Sequence, residues 1–196
     1  QTANRLSCQN NLKQIGVAIH TYHDAFRIFP PGYISHVDAS GNDTGPGWGW
    51  AAISLAHIEQ DGVRQIIDFT QPIEAPQHSN VRIISLSTHL CPSDLRKKTW
   101  LAVKRDSSGA PTASICEVAS SNYVGNFGIS EPGVDGEGVF FRNSSIGMES
   151  ITDGTSQCLL VGERSHRWCE ATWVGAVTKA NLFPPADSPA VPFVQN

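Results

Sequence analysis

The chain has 196 residues, of which 40% are hydrophobic and only 16% charged, and its formal net charge is −4. That length suits one domain with a real core, and the lack of any basic run excludes a nucleic-acid surface, which needs clustered Lys and Arg. No stretch of about 20 consecutive apolar residues occurs, so these residues encode no membrane-spanning helix.

The first 27 residues read as a helix. Cys8, Leu12, Ile15, Ile19, Tyr22 and Phe26 follow one another at spacings of four, three, four, three and four, which places them on one helical stripe. Asn10, Lys13, Gln14, Thr21 and Asp24 occupy the opposite face. Pro30 and Pro31 stop the helix, since proline lacks the backbone donor and clashes with the preceding turn. At the other end the sequence is already in helical register at Gln1, which leads us to expect a longer helix whose upstream part is absent.

Residues 28–49 read as a loop. Asp38, Ser40, Asn42 and Asp43 offer oxygen ligands at near-alternate spacing, like part of a calcium site. The closing Glu of a twelve-residue calcium loop is absent, so a solvated turn is favoured and Asp38, Asn42 and Asp43 stand as weak calcium candidates. Asp135 with Glu137 forms a weaker one. Residues 51–68 predict a second helix, bent or broken at Gly62, and residues 69–80 a proline-rich connection. Residues 81–90 fit a short helix or a strand equally well. A turn at 91–94 precedes a polar loop over 95–115. In that loop Trp100 lies among Lys97, Lys98 and Lys104, which makes it the tryptophan best placed to be exposed and to stack on a sugar or other ligand.

From Asn122 the period changes to that of strands: 122–128, 138–142 and 156–163, with 168–177 as the antiparallel neighbour of the last. The tail after Phe183 reads as irregular. The fold class is α+β, a long helix packed on an antiparallel sheet in a single domain over 1–196.

The five cysteines, Cys8, Cys91, Cys116, Cys158 and Cys169, include no CxxC pair, so disulfides in an oxidising compartment are the better reading, with one thiol left over. A two-residue hairpin loop at Glu163 and Arg164 would set Cys158 opposite Cys169 and predicts a bridge between them.

The remaining candidates for chemistry are few. His20 and His23, with Asp24, have the spacing to share a metal, but no third ligand is evident, so hydrogen bonds to the following loop and the sheet are favoured. Glu163, Arg164 and His166 form an acid–base group that an ion pair explains more simply. No GxSxG elbow occurs, and the chain is read as no enzyme, with no cofactor unless calcium.

Several segments together resemble a known family. CQNNLKQIG (residues 8–16), HTYHD (20–24), FPPG (29–32), WGW (48–50), LCPSD (90–94), NYVG (122–125), DGTS (153–156) and LVGE (160–163) appear in this order. They are similar to the prepilin-type domain-of-unknown-function family expanded in planctomycetes, sometimes catalogued as solute-binding-protein-like. Members carry a prepilin cleavage signal and a hydrophobic helix just before the first motif. The resemblance implies a pseudopilin-like head, an extracytoplasmic or cell-surface location, membrane anchoring through the absent upstream segment, and assembly with itself or other pilin-like subunits through the N-terminal helix. It implies that the family's C-terminal segment is absent too. Cys8 and Cys91 both sit in family motifs, which pairs them with each other and leaves Cys116 as the odd thiol. The leading expectation is a structural subunit of a type IV pilus or type II secretion-like filament. The alternatives are a carbohydrate- or solute-binding module and, last, a hydrolase.

Overall fold

In a computed structural model the described residues are 2–94, 97–128, 136–152 and 154–181. Helix α1 spans Thr2–Phe26, as its apolar stripe requires. Cys8, Ile15, Ala18, Ile19 and His23 are buried along it. Leu12 and Tyr22 are half-buried, while the predicted outer face of Asn10, Lys13, Gln14, Thr21 and Asp24 is exposed. Phe26 departs from the expectation at 58% exposure. It lies on the stripe but in the last turn, where its ring packs on Tyr22 at 4.5 Å between centroids instead of on the body. Arg27, with a φ of 62°, then turns the chain out of the helix.

The expected loop over 28–49 is instead a hairpin. Strand β1 (Tyr33–Val37) pairs antiparallel with β2 (Asp43–Gly49), with irregular register between Tyr33 and Ser35 and between His36 and Val37. The β2 sequence DTGPGWG shows no alternation of apolar and polar residues, which is why it reads as a loop. Its pairing is bent around glycines and Pro46. The second helix is also not one helix. Two short helices, α2 (Trp50–Ile53) and α3 (Asp61–Gln65), flank a 3₁₀ turn at Leu55–His57. The interruption falls at Glu59, whose φ is 59°, and Gly62 lies inside α3. Residues 81–90 are neither strand nor α-helix. They form turns ending in a 3₁₀ segment, Ser87–His89.

The polar loop over 95–115 is likewise corrected. Strand β3 (Thr99–Arg105) pairs antiparallel with β4 (Pro111–Ala119), from Thr99 opposite Ala119 to Arg105 opposite Pro111. The Asp106 side chain builds the turn between them by accepting from the N–H groups of Ser108 and Ala110 and from the Ser108 hydroxyl. The charged Lys104 and Arg105 and the polar residues around them hide a run whose Val103, Ile115 and Val118 flank a Gly turn.

Strand β5 is shorter than expected (Tyr123–Gly125), as is β6 (Val161–Glu163), and they pair with each other: Tyr123 opposite Glu163, Gly125 opposite Val161. Residues 138–142 form no strand, although Arg142 makes an isolated bridge to Tyr33. Residues 168–177 do not pair with β6, since β5 takes that position. They run between the other two hairpins, with bridges from Thr172 to Ser120 and from Gly175 to Trp48. The class is therefore α+β, but among the described residues the single expected sheet is three two-stranded antiparallel sheets. Asp135, Asp153 and the tail after Asn181 lie outside the described residues.

Two apolar clusters hold these pieces together. Trp48, Leu55, Ile73, Val81, Val118, Trp173 and Val174 form one, between β2, β4 and the 171–177 segment. Ile15, Ile19, Phe29, Tyr123 and Phe140 form the other, under α1. Trp50 packs against both. At the crossing of β2 and the 171–177 segment the backbones nearly touch. Gly175 has a φ of +132°, and a Cβ there would stand 2.2 Å from the Gly47 carbonyl oxygen, so no larger residue fits without parting the two strands.

Candidate functional site

Three structures concentrate the polar and aromatic side chains: the junction of α1 with the head, a carboxylate node at Asp94, and a cleft behind them. At the junction Cys8 is bonded to Cys91, with their Cα atoms 5.2 Å apart. Around that disulfide the Asn11 amide donates to the carbonyls of Ser87 and Leu90, and the Tyr123 hydroxyl donates to the Cys8 carbonyl at 3.3 Å. Farther along the helix His23 accepts from the Met148 N–H through Nε2 at 3.2 Å and packs on Phe29. His20 is exposed and meets only the edge of Phe29. His23 thus bonds the turn at Met148–Ser150 and not the loop that directly follows the helix, which it meets through the Phe29 ring.

The remaining cysteines correct the second predicted bridge. Cys116, Cys158 and Cys169 are free; Cys158 is exposed, while Cys169 is buried. The hairpin that would have faced them does not form, because β6 pairs with β5. Burial pushes the thiols of Cys116 and Cys169 up from their ordinary range.

Asp94, in the turn after Cys91, gathers the loop that follows β6. It accepts from the His166 backbone N–H at 3.0 Å and from the His166 ring at 2.7 Å. Ser165 and the Asn122 amide also donate to it. Burial opposes its charge, yet the donors from His166 and Asn122 outweigh it and hold the carboxyl below the usual carboxylate range. The other face of Asn122 accepts from the Cys91 N–H at 2.9 Å, so the node and the disulfide are one assembly. Glu163 stands beside it, its carboxyl pushed up by burial and by the negative charge of Asp94. Glu163, Cys8 and Cys91 present ligand-type atoms within 4.8 Å of one another, the only such group of three among the described residues. The two sulfurs are bonded to each other, which leaves no thiolate for a metal.

The calcium candidates are otherwise engaged. Asp38 accepts from the N–H groups of Ser40 and Asn42 and from the Asn42 amide, closing the β1–β2 turn, and the Asn42 bonds hold its carboxyl below the usual range. Asp43 accepts from Arg142 and from the Tyr33 hydroxyl, each at 2.8 Å. These carboxylates point to turn and strand partners rather than converging on a point.

Trp100 is half-buried, not the exposed tryptophan expected, and its indole N–H donates to the Ala171 carbonyl at 3.1 Å. Trp168 is the more exposed, at 44%. Trp100 nevertheless reaches a cleft, together with Tyr33, Trp50, Tyr123, Phe127 and Phe140, where parts of all three sheets meet. The cleft has a volume of about 150 Å³, and Arg164 and Glu170 are its charged lining residues. Sequence reasoning picked Trp100 and Arg164 but not their juxtaposition, because no local pattern joins residues 64 positions apart.

A sequence model of one family, described as "Protein of unknown function (DUF1559)" under the short name SBP_bac_10, matches residues 1–185. The chain belongs to this family. Within it, the paired Cys8 and Cys91 and the node of Asp94 and Asn122 tie together the CQNNLKQIG, LCPSD and NYVG motifs, which are distant in sequence. No curated protein and no solved structure matches the chain.

Proposed function

We propose that the protein is an extracytoplasmic, pseudopilin-like structural subunit, in which α1 carries the contacts to a membrane and to neighbouring subunits while the β-rich head faces water. The observation that carries this reading is the placing of α1. Residues 2–7 are exposed along the first turns, with Leu6 at 56% exposure, while the Cys8–Cys91 bond fastens the next turn to the head. A helix so fastened transmits a pull on its N-terminal end directly to the head. The disulfide favours an oxidising compartment. No helix among the described residues is long and apolar enough to cross a membrane, so the reading requires an anchor upstream of Gln1. It assigns the chain no catalytic step: Asp94 and His166, the couple nearest to an acid–base pair, are spent on fixing a loop.

The upstream gene sequence is the first test. A prepilin cleavage signal followed by about 20 apolar residues in register with α1 supports the proposal, and a cleavable secretory leader directly before residue 1 sinks it. Cysteines placed at Leu6 and Val17, both exposed on α1, should cross-link subunits into ladders on intact cells.

A second reading, a carbohydrate- or solute-binding module, is favoured by one observation, the aromatic-lined cleft with Trp50 and Trp100 in its wall. The two are compatible, since a filament subunit can present a binding head.

A further inference from the structure

The aromatic cleft holds a guanidinium with few hydrogen-bond acceptors. Arg164 lines it, and its guanidinium donates through Nη2 to the Glu170 backbone carbonyl at 2.9 Å. Its Nε is fully buried and has no acceptor. Among the described residues no carboxylate stands within ion-pair distance of it, and Glu170 supports its charge only from farther off. A guanidinium presents five N–H donors in a rigid fork. Holding one in a partly desolvated place with so few acceptors costs free energy that a bound anion would return. Glu170 and Thr172 also line the cleft, and the rest of the wall is aromatic and apolar. Trp50 and Phe140 lie tilted at 5.4 Å between centroids, and the Trp100 indole N–H is already spent on Ala171. Tyr123 and Tyr33 likewise spend their hydroxyls on Cys8 and Asp43, so these rings offer faces and edges rather than hydrogen bonds. A volume of about 150 Å³ is of the order that accepts a benzene ring.

We infer that the cleft binds a small organic anion, a single carboxylate on a flat apolar body of about one ring, with Arg164 as the anchor for the carboxylate. The inference rests on the second reading above and names its ligand class. A neutral sugar would find the aromatic faces but leave the cation as unpaired as before, whereas a carboxylate fits the fork with two parallel hydrogen bonds.

Titration calorimetry of the whole chain with benzoate, phenylacetate, benzamide and glucose tests this. The expected result is that benzoate or phenylacetate binds at least about tenfold more tightly than benzamide, the margin of one charge-assisted hydrogen bond. Arg164→Met should abolish that preference and Arg164→Lys should keep part of it. Trp100→Leu should weaken benzoate and benzamide alike and leave their ratio unchanged, which keeps the inference testable if Arg164→Met does not fold. Equal binding of benzoate and benzamide, a preference for glucose, or an Arg164→Met protein that still prefers benzoate would overturn the anchor while leaving a binding head standing. No heat with any of the four up to roughly 10 mM, a limit weaker than about 3 kcal/mol of binding, would overturn both the inference and the binding-module reading.

Discussion

His89 shows how one side chain couples this fold to pH. It is fully buried, its Nε2 has no hydrogen-bond partner, and its ring faces Trp50 at 6.2 Å between centroids. Burial pushes its pKa down to about 4, because the charged imidazolium cannot be solvated there. The unfolded chain takes up the proton near pH 6.5 and the folded chain only near 4. Stability is therefore complete above pH 6.5, falls as the pH drops from 6.5 to 4, and is flat below as far as this group is concerned, a loss of about 3 kcal/mol. Urea denaturation between pH 4 and 7 should show that slope, and His89→Gln should remove it while leaving whatever the carboxylates contribute. Asp94 is the second sensitive residue. Asp94→Ala strands the donors of His166 and Asn122 and should cost about 2–4 kcal/mol, read as a lower urea midpoint, whereas Asp94→Asn, which keeps one acceptor, should cost less. Of these two residues the sequence marked Asp94 only as part of a turn, and His89 not at all. A buried histidine and a surface one look alike until the packing around them is known.

At the scale of elements, α1 was the part most legible in the sequence. Its length, its stripe and its stop all follow from side-chain periodicity and from Pro30 and Pro31, which act within the helix itself. Ile15 and Ile19 are fully enclosed beneath it. Ile15→Ala or Ile19→Ala should cost about 2–5 kcal/mol, while Phe26→Ala at the exposed end should stay within about 0.5 kcal/mol of neutral. Equal losses at all three would mean that the last turn is packed as tightly as the middle. The hairpins were less legible. Strand β2 is made of Gly, Pro, Asp, Thr and Trp, and β3 ends in Lys104 and Arg105. In both, the pairing partner supplies what local propensity does not. Strand 156–163 illustrates the opposite error. It has strong local preference, yet only Val161–Glu163 finds a partner, because the short β5 sets how much of it can be paired.

For the whole molecule the Cys8–Cys91 bond matters most. It closes a loop across a sequence separation of 83 and should be worth about 4 kcal/mol on the chain-entropy account. Reduction, or Cys8→Ser with Cys91→Ser, should lower the urea midpoint accordingly and loosen the first turns of α1, while Ile15 and Ile19 keep the rest of the helix packed. Non-reducing peptide mapping should recover one linked pair, Cys8 with Cys91. In the native protein Cys158 should react quickly with a thiol reagent, while Cys116 and Cys169 should react only on unfolding, since both are buried. Recovery of a Cys158–Cys169 peptide would restore the hairpin that the fold replaces.

The sequence by itself determined the helix, the α+β class, the family, and, through the family motifs, the pairing of Cys8 with Cys91. Each of these is written either in a local period or in a string of residues read in order. Only the tertiary structure decided that three small sheets replace one and that residues 171–176 run between two hairpins instead of pairing with β6. It alone placed Arg164 in a cleft with Trp50 and Trp100, and His89 in the core. Those outcomes depend on which distant segment reaches a strand edge first and on how much water the packed neighbours exclude. Neither is a property of any window along the chain.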